Sequence, residues 1–193
     1  MLVTCSQTVL SRREVVTWLK SGIRKAINGG YDTFISGMQR GVDLWAAEKV
    51  LRLRESGENV RLVAAVPFCG MEKSWDDDWK ERYRNVIDKA DQVVIISNTP
   101  GRAAFFQRNH FMVDHASRLL AVYSGSGGGT LETMNYAEKK KIEVLKYRKL
   151  NSCRFYPLYF SDNGISSYGI VAFTVPLIFF MRNSSVYHIW NIL

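Results

Sequence analysis

Two stretches of this 193-residue chain carry residue types suited to holding phosphate. The first is Ser36–Gly37–Met38–Gln39–Arg40–Gly41–Val42–Asp43, where Gly37 and Gly41 flank a turn between a β-prone run and a helical run. Glycine permits positive φ and a close backbone approach, and the N–H groups at the start of the following helix form an anion site. Arg40 adds a charge-assisted hydrogen bond to a phosphate oxygen; the plain alternative is a tight turn with a surface arginine. Asp43, in the first helical turn, caps the helix electrostatically, hydrogen-bonds a ribose hydroxyl, or orients Arg40. The second stretch is Gly127–Gly128–Gly129–Thr130. Three glycines at a sheet-to-helix junction cost conformational entropy, and Thr130 either caps the helix or donates to phosphate. A triple glycine alone is a weak motif; a second glycine loop on the same sheet edge strengthens it.

Other residues extend the candidate site. Arg108 follows a strand-end loop and serves either as a second phosphate contact or as part of a solvated helical face. Asp114 is six residues on, a spacing that does not share a helix face with Arg108. Trp75, Trp79 and Tyr83 recur at i, i+4, i+8. Trp79 and Tyr83 read as core, whereas Trp75, in the preceding loop, is the candidate lid over a base. Glu132 is the candidate acid, with stabilisation of the helix dipole as the plainer role. His110, His115 and His188 show no metal-ligand spacing, so no metal is expected. No serine sits in a nucleophile-elbow pattern. Cys5, Cys69 and Cys153 fit neither a paired thiol motif nor a zinc knuckle and read as reduced.

The elements that must position these residues alternate. Helical periodicity covers Arg13–Ile27, with Ser11 and Glu14 spaced as a capping box. Further helices are expected at about Val42–Arg54, Trp79–Ala90, Phe105–Ala116 and Thr130–Lys141. β-Prone runs fall at Val3–Cys5, Thr33–Ser36, Val60–Val66, Gln92–Ser97, Arg118–Tyr123 and Ile142–Leu145. This rhythm predicts an α/β, Rossmann-like three-layer sandwich with a mainly parallel sheet over residues 1–146. In such sheets ligands bind beyond the strand C-termini. Residues 147–193 differ: Asp162 is their only acid, and Tyr168–Met181 is largely apolar. That run is short of the roughly 20 residues a spanning helix needs, so membrane insertion is not expected. An adventitious tail or a strand hairpin against the body is the expectation, with no contribution to the crevice.

The formal charge of +8 favours anionic partners without naming them. Positive charges mostly alternate with acids, and the run Lys139–Lys140–Lys141 suits a helix C-terminus. Nucleic acid is therefore allowed and not favoured. The opening residues are too short and polar for a signal peptide, which makes the cytoplasm the expected location. A homo-oligomer is left open.

The stretch Phe34–Glu48 resembles the signature of the bacterial YpsA-like family of the SLOG superfamily of Rossmann-like domains. So do Val66–Pro67–Phe68, Trp75, Glu81–Arg82–Tyr83, Ala90–Asp91, Gln107–Arg108–Asn109, Met112–Val113–Asp114 and Ala121–Val122–Tyr123 leading to Gly128–Gly129–Thr130. The superfamily also holds DprA and the LOG phosphoribohydrolases. The resemblance, over roughly residues 10–146, implies binding of a nucleotide or nucleotide-derived ligand. It points to Ser36, Gly37, Met38, Arg40, Gly41, Asp43, Arg108 and Gly127–Thr130 as ligand contacts, with no cofactor otherwise implied. Family members open with a strand followed by Gly-His-Arg-Pro, where this chain has Cys5–Ser6–Gln7–Thr8. LOG enzymes place a glutamate three residues after a glycine-threonine pair; here that count lands on Thr133, and Glu132 is one residue early. A one-residue step rotates a helical side chain by about 100°. The expectation is a sensor or signalling module binding a phosphate-bearing small molecule. The alternatives are an N-glycosidic hydrolase acting on a nucleoside monophosphate or an ADP-ribose derivative, and a single-stranded DNA binder like DprA.

Overall fold

A computed structural model describes residues 11–125, 128–147 and the backbone of 172–181. Its elements run α1 (Arg12–Asn28), β1 (Thr33–Ser36), α2 (Val42–Glu55), β2 (Arg61–Val66), α3 (Asp77–Lys89), β3 (Gln92–Ile95), α4 (Arg102–Asp114), β4 (Arg118–Gly125), α5 (Gly129–Lys139), β5 (Glu143–Lys146) and β6 (Ala172–Met181). The sheet order is β3-β2-β1-β6-β4-β5. The first five strands share one direction, and β6 runs antiparallel between β1 and β4. The α/β fold with a mainly parallel, Rossmann-like sheet is the one expected. The strand expected at Val3–Cys5 lies outside the described residues.

Strand pleating builds the layers, because successive side chains face opposite ways. Phe34, Leu62, Ala64, Val66, Leu120 and Val122 enter one core with Leu19 and Ile23 of α1, Leu44 and Val50 of α2, and Tyr83 and Val86 of α3. Ile35, Val63, Ala65, Leu119 and Ala121 face the other, with Met112 and Val113 of α4 and Met134 and Ala137 of α5. Strands buried on both faces read as continuous apolar runs.

The central place of β6 differs from a tail that stands apart. Phe34 pairs with Phe180 on one side of β6, and Leu119 with Phe179 on the other. Proline lacks the N–H that a central ladder uses. Pro176 falls where the register slips between Ala121↔Leu177 and Tyr123↔Thr174, so the irregularity accommodates it. Between those pairs β4 contributes one residue and β6 two, a bulge. No helix among the described residues is long and apolar enough to cross a membrane.

Helix starts also depart from expectation. Ser11 precedes α1, but its side chain makes no capping hydrogen bond. α3 begins two residues before Trp79 because Asp76 caps it, its carboxylate accepting from the Trp79 N–H at 3.1 Å. Thr130 is not the cap of α5: Gly128 holds that position, and Thr130 lies buried in the first turn.

Candidate functional site

β1, β2, β3 and β4 all end at one edge of the sheet, so the turns that follow them open together. Three of the next helices, α2, α4 and α5, begin at Gly41, Gly101 and Gly128, with no side chain capping any of them. A helix start leaves its first N–H groups without helical partners, and the helix dipole adds positive potential there. At Gly41 (φ 98°) and Gly128 (φ 135°) the backbone takes conformations that side-chain-bearing residues rarely adopt.

The first loop is tied to its own helix. The Ser36 hydroxyl donates to the Asp43 carbonyl at 3.1 Å and accepts from the Met38 N–H at 3.2 Å. One oxygen of the Asp43 carboxylate accepts from the Gln39 N–H at 3.2 Å. Asp43 lies in the first turn of α2, where its charge suits the helix dipole, and its carboxylate also closes the loop; the residue is 1% exposed. Met38 has φ 60° and is fully buried, so its packing offsets the strain of that backbone. Arg40 stands exposed at the tip, without an acidic partner among the described residues.

Arg108 is 6% exposed. Its Nη1 donates to the Gly37 carbonyl and lies 3.6 Å from Asp43 Oδ2. Burial pushes the guanidinium pKa down, and the Asp43 carboxylate opposes that shift. A Cβ at position 37 would collide with Nη1 and stand 2.8 Å from Asp43 Oδ2. Glycine is required at 37 for close approach. Arg108 Nε has no hydrogen-bond partner among the described residues, leaving a buried donor at the base of the loop. The next residue, Asn109, is also buried and faces the second loop: its Nδ2 lies 3.7 Å from where a Gly129 Cβ would be. Adjacent residues of α4 thus reach both glycine segments. Gly127 lies outside the described residues. Gly129 itself is helical and has room for a Cβ, so the conformational demand in this loop falls on Gly128.

Other candidates sit elsewhere. Trp75 is 7% exposed and packs edge-to-face on Tyr83, ring centroids 5.8 Å apart. It belongs to the core, and an aromatic lid would need an exposed ring. Trp79, expected inside, is only partly buried and lies under Arg82, whose Cζ is 4.4 Å from the ring centroid. Asp114 does not pair with Arg108; it takes Lys140 at 2.7 Å and the Tyr136 hydroxyl at 3.1 Å.

Glu132, in the first turn of α5, has one carboxylate oxygen 2.6 Å from His110 Nε2. Its other oxygen is buried, without a partner among the described residues. The His110 ring stacks on Tyr136 at 4.0 Å. Sequence reasoning missed His110 because its partner lies on another helix, which helical spacing cannot reveal. No group of three or more metal-binding side chains occurs among the described residues.

A three-layer α/β domain with two glycine loops at one sheet edge defines the class. Within it, the chain belongs to the YspA SLOG family, whose profile matches residues 11–153. A UPF0398 protein of Bacillus cereus is 30% identical over 162 residues, covering 83% of this chain and 80% of that protein. One from Bacillus thuringiensis is 31% identical over the same length and shares of each chain. One from Brevibacillus brevis is 28% identical over 139 residues, 71% of this chain and 70% of that protein.

Proposed function

We propose that this chain binds a nucleotide or nucleotide-derived ligand across the C-terminal edge of its sheet and works as a sensing or signalling module. The observation that supports this best is the junction at α4. Arg108 is anchored on the Gly37 loop, and Asn109 lies beside the Gly128–Thr130 helix start. The uncapped starts of α2 and α5 lie on opposite faces of the sheet at its C-terminal edge, and their N–H donors suit phosphate oxygens. Arg40, exposed and free of acids, supplies a permanent positive charge. In this reading Ser36, Asp43 and Arg108 shape the loop, and Arg40 and backbone N–H groups touch the ligand. A thermal-shift screen of nucleoside monophosphates, NAD, ADP-ribose and cyclic dinucleotides tests it. The expected result is stabilisation by at least one class that Arg40→Ala weakens. No shift from any class would overturn the reading.

The Glu132–His110 pair supports a second reading, N-glycosidic hydrolysis, in which the carboxylate stabilises a developing ribosyl cation. Chromatography for free base after incubation with the same compounds separates the two. Turnover lost in Glu132→Gln would favour the hydrolase; no free base would favour the binding module.

A further inference from the structure

Asn109 sits in the interior of α4, a place that suits asparagine poorly, because its short amide competes with the helix for backbone hydrogen bonds. The residue is 7% exposed, and its side chain makes no hydrogen bond among the described residues. One helical turn on, Met112 and Val113 are buried in the core between α4, α5 and the sheet. Packing alone would put an apolar side chain at 109 as well. The atom nearest to where a Gly129 Cβ would stand is Asn109 Nδ2, at 3.7 Å, so the amide faces the start of α5. Its neighbour Arg108 is fixed on the Gly37 carbonyl. A buried amide without partners costs stability, and a bound group that pairs with it removes that cost.

The chemistry of the amide narrows what that group is. It offers both donors and an acceptor. A phosphate oxygen uses donors only and favours charged ones, and the exposed Arg40 supplies the charge. Ribose hydroxyls both donate and accept, and in a nucleotide they lie beside the phosphate. A base edge also satisfies an amide, but a base rests on a flat ring. The ring that the sequence offers for that purpose, Trp75, is turned into the core against Tyr83. We propose that Asn109 holds the ribose hydroxyls of the ligand and makes the site select ribonucleotides over 2′-deoxyribonucleotides. The proposal rests on the nucleotide-binding reading given above and names the sugar that this site takes. The 2′-hydroxyl is the group by which such a choice is made.

Titration calorimetry on the full chain with AMP, 2′-deoxy-AMP, GMP and 2′-deoxy-GMP tests it. Wild type is expected to bind each ribonucleotide at least about tenfold more tightly than its deoxy counterpart, since a site built to bond a hydroxyl rejects the analogue that lacks it. Asn109→Leu should lower ribonucleotide affinity to that of the deoxy form and leave deoxynucleotide affinity unchanged. It should melt no lower than wild type without nucleotide, because it removes an unpaired buried amide. Asn109→Ala, which removes the amide without adding bulk, should erase the preference in the same way. Arg40→Ala should weaken all four nucleotides alike and keep the ribose preference. Equal wild-type affinities for the ribo and deoxy forms, or a preference that survives both substitutions at 109, would overturn the proposal and leave the nucleotide-binding reading standing. A change at 109 that alters the choice between adenine and guanine, with the sugar preference intact, would assign the amide to the base and also overturn it. Failure of wild type to bind any of the four would overturn it too, and the thermal-shift screen across the other nucleotide classes then decides the wider reading separately.

Discussion

The Arg108 guanidinium donates to the Gly37 carbonyl across 71 residues of sequence, and it occupies the space a side chain at 37 would need. Asp43 stands beside the same guanidinium at 3.6 Å and closes the loop through the Gln39 N–H. A buried charge pair of this kind is destabilising when one member is removed alone, because the other is left uncompensated.

Arg108→Met should therefore lower unfolding stability by about 3–5 kcal/mol. Asp43→Asn together with Arg108→Met should cost less than the sum of the two single changes. Gly37→Ala should also destabilise, since its Cβ must displace the guanidinium. Urea titrations of the four variants check this; additive single effects would show that the pair is not coupled.

The place of β6 makes a second prediction. A chain ending at Tyr147 should lose cooperative unfolding, because the strand between β1 and β4 is gone. Within the full chain, Phe179→Pro should destabilise strongly by removing an N–H from the central ladder. Pro176→Ala, at the register slip, should cost little. A truncated chain that melts like the full one would contradict a central β6.

These cases show what was legible from sequence. The alternation of Val93–Ile96-type runs with helical periodicity is a local signal, and it located α1 to α5, β1 to β5 and the turns before α2 and α5. Position in a sheet is not local: nothing in Ala172–Met181 says that it pairs with Thr33–Ser36, far back along the chain. Arg108 could be named as a site residue, but its burial depends on Gly37 and Asp43 packing against α4. Trp75 and Trp79 share a period, yet the turn before α3 folds Trp75 inward, and α3 leaves Trp79 under Arg82.

The core beneath Trp75 has a pH signature. Burial pushes the Tyr83 phenol up to about 12, with the nearby Glu72 and Cys69 charges adding to the shift. The folded state keeps this proton after the unfolded chain has lost it near its ordinary pKa of 10. Its contribution to stability is thus complete below pH 10 and is lost as pH rises toward about 12. Wild type should lose stability relative to Tyr83→Phe over that window. A constant difference between the two, followed by urea denaturation at several pH values, would contradict it.

The central claim is that one phosphate-bearing ligand spans the Gly37–Gly41 loop and the Gly128–Thr130 helix start. Titration calorimetry tests it most directly, using the nucleotide or ADP-ribose derivative that gives the largest thermal shift. Wild type, Arg40→Ala and Gly128→Val are compared, with circular dichroism confirming the fold of each. Arg40→Ala removes a charged hydrogen bond worth about 1.5–3 kcal/mol, so its Kd should rise roughly ten- to a hundredfold. Gly128→Val should abolish binding, because valine at φ 135° distorts the helix start that faces the ligand. If both folded variants bind with the wild-type Kd, the ligand lies elsewhere and the two-loop account is wrong.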